Sequence, residues 1–477
     1  MKAIARTRTA APIELARHAV AGDYTIAVPA DGRRRLATAW LALGVASLAL
    51  SGLLAVLLVL SRTPGLASLF PVANFFHVAL VAHVDLSVLV WFVAFAGALW
   101  SLNSTSRALR AGWIALALCA LGTLLIAVAP FAGGTPIMAN YVPVIDAPAF
   151  LGGLAVFGLG LAVLVGRSLF ASPPVGMQLD GRGALRFGLN GSVVVTAIAL
   201  LAFAWSAIAV PDGIDPRAYY ELLFWGSGHV LQFAWTLLLL VAWLVLSRAS
   251  GLTIPLSPRV VTLLFGVGLV AVFATPIVYL AYGVTSVEHH RMHTWLMRFG
   301  GGLAIVPVAA AVLWGLVHRG RLRDAQARPL RAALVMSVLL FGVGGLIGYA
   351  IKGSDVRIPA HYHGAIVGVT IALMGVAYWL LPRLGFAAAP PRLASWQSYL
   401  YGGGQLLHIV GLVWSGGYGV QRKVADGAIV ERSLEQTLGM GLMGLGGLVA
   451  IIGGMLFVVA MAIAVARRPR VQAFAHG

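Results

Sequence analysis

The sequence predicts an all-α fold, a polytopic membrane protein with twelve transmembrane helices. Composition is the first reason: of 477 residues, 60% are hydrophobic and only 10% charged, and the mean hydropathy of +0.92 is far above that of water-soluble domains. The second is spacing. Stretches of about 20 apolar residues, the length at which a helix crosses a bilayer core, recur along the whole chain.

Residues 1–37 are basic and interrupted by Pro12 and Pro29, without the early apolar core of a signal peptide, and read as a soluble cytoplasmic arm. One integral domain is expected over 38–466. Its spans are predicted at 38–61, 76–101, 111–130, 147–169, 187–210, 219–247, 260–284, 294–317, 331–351, 361–382, 398–418 and 439–466. Residues 467–477 form a short cytoplasmic tail. No low-complexity linker or internal repeat divides the chain.

The net charge of +18 raises nucleic acid as a partner, but the loops account for it otherwise. With the N-terminus inside, 24 of the 33 Lys and Arg fall on the cytoplasmic side, in the arm, the tail and loops such as "HRGRLRDAQARPLR", and 9 on the other. The positive-inside rule therefore predicts an inner-membrane protein with both termini cytoplasmic, and no nucleic-acid partner is needed. The single cysteine, Cys119, lies mid-span in "ALALCALG", which excludes an internal disulfide and suits packing as a small apolar residue.

Twelve spans alone fit a transporter as well as an enzyme. The polar residues inside them discriminate. A proton-coupled secondary transporter usually carries buried carboxylates, yet only Asp85 lies clearly within a span, with Glu221 and Glu288 near span ends. The spans and their margins hold histidine instead: His77, His83, His229, His289, His290, His361, His363 and His408. Burying so many polar rings is costly unless each has a partner, and a metal or haem is a natural one.

"IPAHYHGAIVG", residues 358–368, is the most informative stretch. A helix turns about 100° per residue, so His361 and His363 point about 200° apart, onto nearly opposite faces. One site cannot use both, whereas two sites flanking the helix can. Alone, the pair also fits two interfacial histidines bonded to water and headgroups.

Taken together, these contexts resemble the catalytic subunit I of the haem–copper oxidase superfamily, the respiratory oxygen and nitric oxide reductases, from about residue 38 onward. The resemblance implies that His361 is the proximal ligand of a high-spin haem and His363 an axial ligand of a low-spin haem. The second axial ligand is implied in "VAHVDLSVLVWF", where His83 is the match; His77, six residues earlier and about 120° round the helix, reads as a hydrogen-bonded surface histidine. "WGSGHVLQF" and "VEHHRMH" resemble the site of the copper called CuB, implying His229, His289 and His290 as ligands, with His293 read as a loop residue. Past the eleventh span, "SGGYGVQRKVAD" places Arg422 and Lys423 where the family has two basic residues beside the haem propionates; a lysine there keeps charge but loses bidentate pairing, and a solvated loop is the alternative. His408 and His318 match nothing in the pattern and read as structural.

The implied activity is electron transfer from a cytochrome c or a copper-bearing subunit II, through the low-spin haem, to a haem–copper centre that reduces a small gas. Oxygen reductases lend an electron from a tyrosine linked to a copper histidine. In this sequence Phe233 stands at the helix-six position and Gly283 at the helix-seven position, with Tyr282 one residue away and seven before His289. If the helix continues, Tyr282 shares nearly one face with His289 and can serve. The common nitric oxide reductases place a glutamate where Phe233 stands, and hold iron; an all-histidine site favours copper. The sequence thus resembles an uncommon, copper-containing nitric oxide reductase branch, with cytochrome c oxidase-type O2 reduction the alternative. Glu288, Asp85, Glu221, Thr285 and Ser286 are candidates for carrying protons.

Overall fold

The computed structural model describes residues 23–61, 74–176, 180–318, 324–351, 355–418 and 433–467. It is helical, as predicted. Twelve helical rods run among the described residues: α1 (Gly32–Ser61), α2 (Phe75–Asn103), α3 (Leu109–Val128), α4 (Pro148–Phe170), α5 (Gly181–Ala209), α6 (Pro216–Ala249), α7 (Pro258–Ala281), α8 (Val287–Val317), α9 (Ala327–Ala350), α10 (Arg357–Leu384), α11 (Pro391–Gly417) and α12 (Leu434–Ala466). Eleven are long and apolar enough to cross a membrane. The other, α11, is 27 residues long but diluted by Arg392, Gln397, Gln405 and His408. Between α3 and α4 lies a two-stranded antiparallel ribbon, β1 (Thr135–Ile137) and β2 (Val144–Asp146), in the register Thr135↔Asp146.

Local chemistry sets the helix starts. Asp180, Asp215, Ser257, Ser286 and Ser433 each cap the helix that follows by accepting a backbone N–H of its first turn, and Pro216 and Pro258 begin α6 and α7 where no N–H is required. At α12 Ser433 and Gln436 form a reciprocal capping box. The cap at Ser286 starts α8 at Val287, seven residues before the predicted span. His289, His290 and His293 are therefore helical, and the loop assignment of His293 is corrected.

Burial separates central from peripheral rods. In their most apolar windows 89% of α10 and 78% of α6 are buried, against 28% of α7 and 33% of α12. The proposed ligands lie on α2, α6, α8 and α10. Polar ties join neighbours: the Trp100 indole donates to Ser192 Oγ at 2.8 Å, and Trp243 to Ser337 Oγ at 2.8 Å. Two rods contain π-helical turns, Leu86–Val90 just after His83 and Leu296–Gly300 just after His293. Such turns cluster at functional sites, since the extra residue re-aims the side chains around it. Before α1, buried Tyr24 donates to the Leu256 carbonyl at 3.0 Å, and Asp23 pairs with Arg182 and Arg248, laying this segment across the ends of α5 and α6.

Candidate functional site

The site is organised around α10. Gly344 on α9 and Gly364 on α10 touch backbone to backbone, and a methyl group on either would overlap the other helix. This close approach carries the Gly344 carbonyl to His361, whose Nδ1 donates to it at 2.7 Å. Gly348, one turn further along α9, faces the same ring, and a side chain there would come within 2.8 Å of it. His363 points the other way, and its Nδ1 donates to Gln405 Oε1 on α11 at 3.0 Å. The two histidines thus face different neighbours, as the 200° offset requires.

His83, the other proposed low-spin ligand, lies on α2. Its Nδ1 lies 2.9 Å from both the carbonyl and the hydroxyl of Ser51 on α1. In His83, His361 and His363 alike, a fixed hydrogen bond occupies Nδ1 and selects the tautomer that leaves Nε2 as a lone-pair donor, the arrangement by which an outer partner orients a metal-binding imidazole. His77 sits in the first turn of α2 against Phe76. The ring of His408 lies 4.5 Å from that of His363, its Nδ1 held by the Met443 carbonyl on α12.

A second group of imidazoles gathers between α6 and α8. His229, His289 and His293 are all buried, at 4%, 0% and 1% exposure, and the ring centres of His289 and His293 are 4.5 Å apart, those of His229 and His293 6.2 Å, and those of His289 and His290 6.0 Å. His290 lies against Trp225, with ring centres 4.7 Å apart. Both ring nitrogens of His289 and Nε2 of His293 are buried without a hydrogen-bond partner. Such nitrogens are costly in a bilayer interior, and their donor chemistry fits a metal. As the side chains stand, no three metal-binding groups among the described residues are drawn in to metal-holding distance.

Two tyrosines flank this group, and the "GSG" before His229 explains both. Gly226 makes room for Tyr279 and Gly228 for Tyr141; a methyl group at either would overlap the phenol ring. Tyr279 stands edge-on to His289 at 4.7 Å and bonds to Ser206 at 2.8 Å. Tyr141, from the connection between β1 and β2, places its hydroxyl 2.9 Å from His229 Nδ1, a nitrogen that also lies 2.8 Å from the Trp225 carbonyl. Its neighbour Asn140 donates to Glu221 at 2.8 Å, tying this connection to α6.

Tyr282 is elsewhere. α7 ends at Ala281, and Tyr282 follows in extended conformation, 37% exposed. The spacing that would bring it onto the face of His289 assumed a continuous helix, so the expectation is corrected: Tyr279 is the helix-seven tyrosine that faces the histidines. Phe233 is buried in α6 and Glu288 is exposed. Asp85 is buried with one carboxylate oxygen unpartnered. Arg422 and Lys423 lie outside the described residues.

Residues 35–456 match the family model described as cytochrome c and quinol oxidase polypeptide I. The chain belongs to that family. It is thus a member of the haem–copper oxidase subunit I superfamily, whose members normally bind haems and copper. An uncharacterized protein of Rickettsia prowazekii is 31% identical to this subunit I homologue, over 89% of this chain and 94% of that protein. Another uncharacterized protein, from Aquifex aeolicus, is 32% identical over 73% of this chain and 85% of its own. Cytochrome c oxidase subunit 1 of Thermus thermophilus is 25% identical, over 56% of this chain and 51% of that one. Among solved structures, a haem–copper terminal oxidase dimer superposes with a TM-score of 0.67 at 16% identity, covering 93% of this chain and 86% of its counterpart, a likeness of fold.

Proposed function

We propose that this chain is the catalytic subunit of a respiratory haem–copper reductase that receives electrons from a cytochrome c or a copper-bearing partner subunit and reduces nitric oxide to nitrous oxide. The observation that carries the reading is the division of imidazoles across α10. His83 and His363 are a pair suited to a low-spin haem, His361 on the opposite face a single ligand suited to a high-spin one, and His229, His289 and His290 a donor set for copper. Bound there, the two haems and copper would supply the electron transfer and the two electrons that join two NO molecules. The protein's part is positional: the Gly344 carbonyl, Gln405 and Ser51 hold the haem-facing rings, and the packed α6 and α10 keep bulk water away.

The choice of gas rests on the phenols. Neither Phe233 nor Gly283 supplies the extra electron that one-step O–O cleavage takes, and Tyr282 lies away from the histidines; NO reduction needs no such donor. Two observations favour O2 reduction as the second reading, the Tyr141 hydroxyl 2.9 Å from His229 and the ring of Tyr279 edge-on to His289 at 4.7 Å. The test is the purified complex, with haem and copper quantified, a reduced-minus-oxidised spectrum recorded, and anaerobic NO consumption compared with O2 consumption from the same donor. Faster NO turnover with stoichiometric N2O supports the proposal. Rapid O2 consumption with negligible NO turnover assigns the second reading, and a colourless, copper-free protein defeats both.

A further inference from the structure

The starts of α9 and α11 enclose a cavity of about 600 Å³, lined by Arg328, Arg392, Ser395, Trp396 and Tyr399. Arg331, one turn into α9, donates to the Ser250 carbonyl at 2.8 Å, just past the end of α6 where Arg248 pairs with Asp23. The cavity therefore lies at the end of the bundle that the positive-inside rule assigns to the cytoplasm.

Its polar equipment consists of donors. Arg328 and Arg392 are exposed, and among the described residues neither guanidinium is paired with a carboxylate. Asp324, the acidic residue nearest to Arg328 in the chain, accepts the Gln326 N–H at 2.9 Å. Ser395 spends its hydroxyl proton on the Pro391 carbonyl at 2.7 Å, which leaves the Trp396 indole N–H and the Tyr399 hydroxyl as the other donors. Two cationic forks without a local counter-charge suit an anion, and phosphate oxygens match a guanidinium in pairs.

The rest of α11 indicates what the phosphate is attached to. At about 100° per residue, Arg392, Trp396, Tyr399, Leu407, Val410 and Trp414 fall within a sector of about 80° on one face. After Arg392 that face is apolar and exposed, with Trp396 64% and Tyr399 48% accessible near the charged end. It runs roughly 33 Å from first residue to last, close to the ~30 Å thickness of a bilayer core. Gly403 lies in the same sector, and a methyl group there would meet nothing within 4 Å, so the middle of the stripe is an open trough. A free phosphate has no use for such a stripe, whereas acyl chains do, and Trp and Tyr are the residues enriched at headgroup level.

We propose that this cavity binds an anionic phospholipid of the cytoplasmic leaflet. Its headgroup phosphate is held by Arg328 and Arg392, its glycerol region lies against Trp396 and Tyr399, and its acyl chains follow the exposed face of α11. Basic pockets between transmembrane helices on the cytoplasmic side bind such headgroups elsewhere. The site is independent of which gas the histidines act on.

The test strips the purified complex of lipid in detergent, offers it equal amounts of phosphatidylglycerol and phosphatidylcholine, and counts bound lipids by native mass spectrometry, with circular dichroism as the control for folding. The unmodified protein should retain phosphatidylglycerol in preference, and excess inorganic phosphate should not displace it. Arg328→Gln/Arg392→Gln should lower phosphatidylglycerol affinity roughly 30-fold, from about fivefold for each arginine near a membrane surface. Trp396→Ala should weaken retention of both lipids. Arg107→Gln/Arg110→Gln, an equal loss of charge at exposed positions beside Ser104, whose carbonyl accepts from Arg33 at the start of α1, should change nothing. Equal retention of the two lipids, no response to Arg328→Gln/Arg392→Gln, or the same response to Arg107→Gln/Arg110→Gln would each overturn the proposal. So would full displacement by inorganic phosphate, which marks a phosphate site without a lipid, or a photo-cross-link from position 396 to a protein subunit in native membranes. Should the double variant fail to fold, a photoreactive phosphatidylglycerol on the unmodified complex decides: labelling within residues 391–399 supports the site, and labelling only elsewhere refutes it.

Discussion

The two groups of histidines are built on different principles. Between α2, α10 and α11, His83 and His363 each have Nδ1 fixed by a neighbouring helix, through Ser51 and Gln405. Between α6 and α8, His229, His290 and His293 have Nδ1 held by carbonyls of their own helix or its cap, and His289 has neither ring nitrogen bonded. Where the protein itself satisfies one nitrogen, ring direction is set before any cofactor arrives. Where it does not, the arrangement is completed only by what binds. The first region is thus a socket set by neighbouring helices, and in the second His289 is the ring whose direction a metal would set. Breaking each in turn sharpens the contrast.

The largest effect belongs to the socket. His363→Ala or His83→Ala removes a proposed axial donor, and should eliminate the sharp six-coordinate haem bands and reduce turnover to background. The assignment on α2 has its own check. If His83→Ala keeps a bis-histidine spectrum and His77→Ala loses it, the two must be exchanged, despite the position of His77 at the end of the rod.

At the second region, His229→Ala or His289→Ala should deplete copper and abolish gas reduction while the low-spin haem spectrum stays close to that of the unmodified protein. The reason is separation: these side chains lie on α6 and α8, whereas His83 and His363 lie on α2 and α10. Unchanged copper content in both variants would refute the site.

How far the sequence reveals this arrangement depends on the range of the signal. Helix positions follow from hydropathy, and the opposed faces of His361 and His363 from helix geometry, because both are properties of short stretches. Tyr282 misleads because a seven-residue spacing has meaning only in an unbroken helix, and α7 stops at Ala281. His293 was misplaced for the converse reason. Hydropathy sees a polar run in "VEHHRMH", whereas the capping signal just before it, Ser286 with Glu288 in the first turn, marks a helix start. Tyr141 has no local signature. It comes from a ribbon between two rods, and its trace in the sequence is Gly228, a missing side chain where a ring from elsewhere must fit.

An intermediate effect is expected from the hydrogen bonds that orient the socket. Gln405→Leu removes the acceptor of His363 Nδ1–H while keeping volume, and outer partners of metal-binding histidines typically contribute about tenfold or more in affinity or activity. The low-spin haem should remain bound with shifted bands and a changed reduction potential, and turnover should fall about tenfold. Ser51→Ala should be milder, since the backbone carbonyl of residue 51 still accepts from His83. An unchanged potential in Gln405→Leu would mean that packing alone orients His363.

The smallest effect is expected at Tyr282. Its side chain is 37% exposed beyond the end of α7, and substitutions at such positions usually change stability by less than about 0.5 kcal/mol. Tyr282→Phe should therefore leave both NO and O2 turnover near the unmodified values. Tyr141→Phe is its informative partner, because it removes only the hydroxyl 2.9 Å from His229. If NO is the substrate, turnover should stay within a few-fold, the lost hydrogen bond altering the orientation of His229 and little else. If O2 is the substrate and the Tyr141 phenol takes the place left vacant at Phe233, O2 reduction should collapse while copper and haem contents hold. Gly228→Ala tests the same contact from the other side: the added methyl overlaps the ring and forces Tyr141 away, so it should reproduce Tyr141→Phe in kind. A Gly228→Ala variant with normal turnover of both gases would show that the contact between Tyr141 and His229 contributes nothing to the reaction.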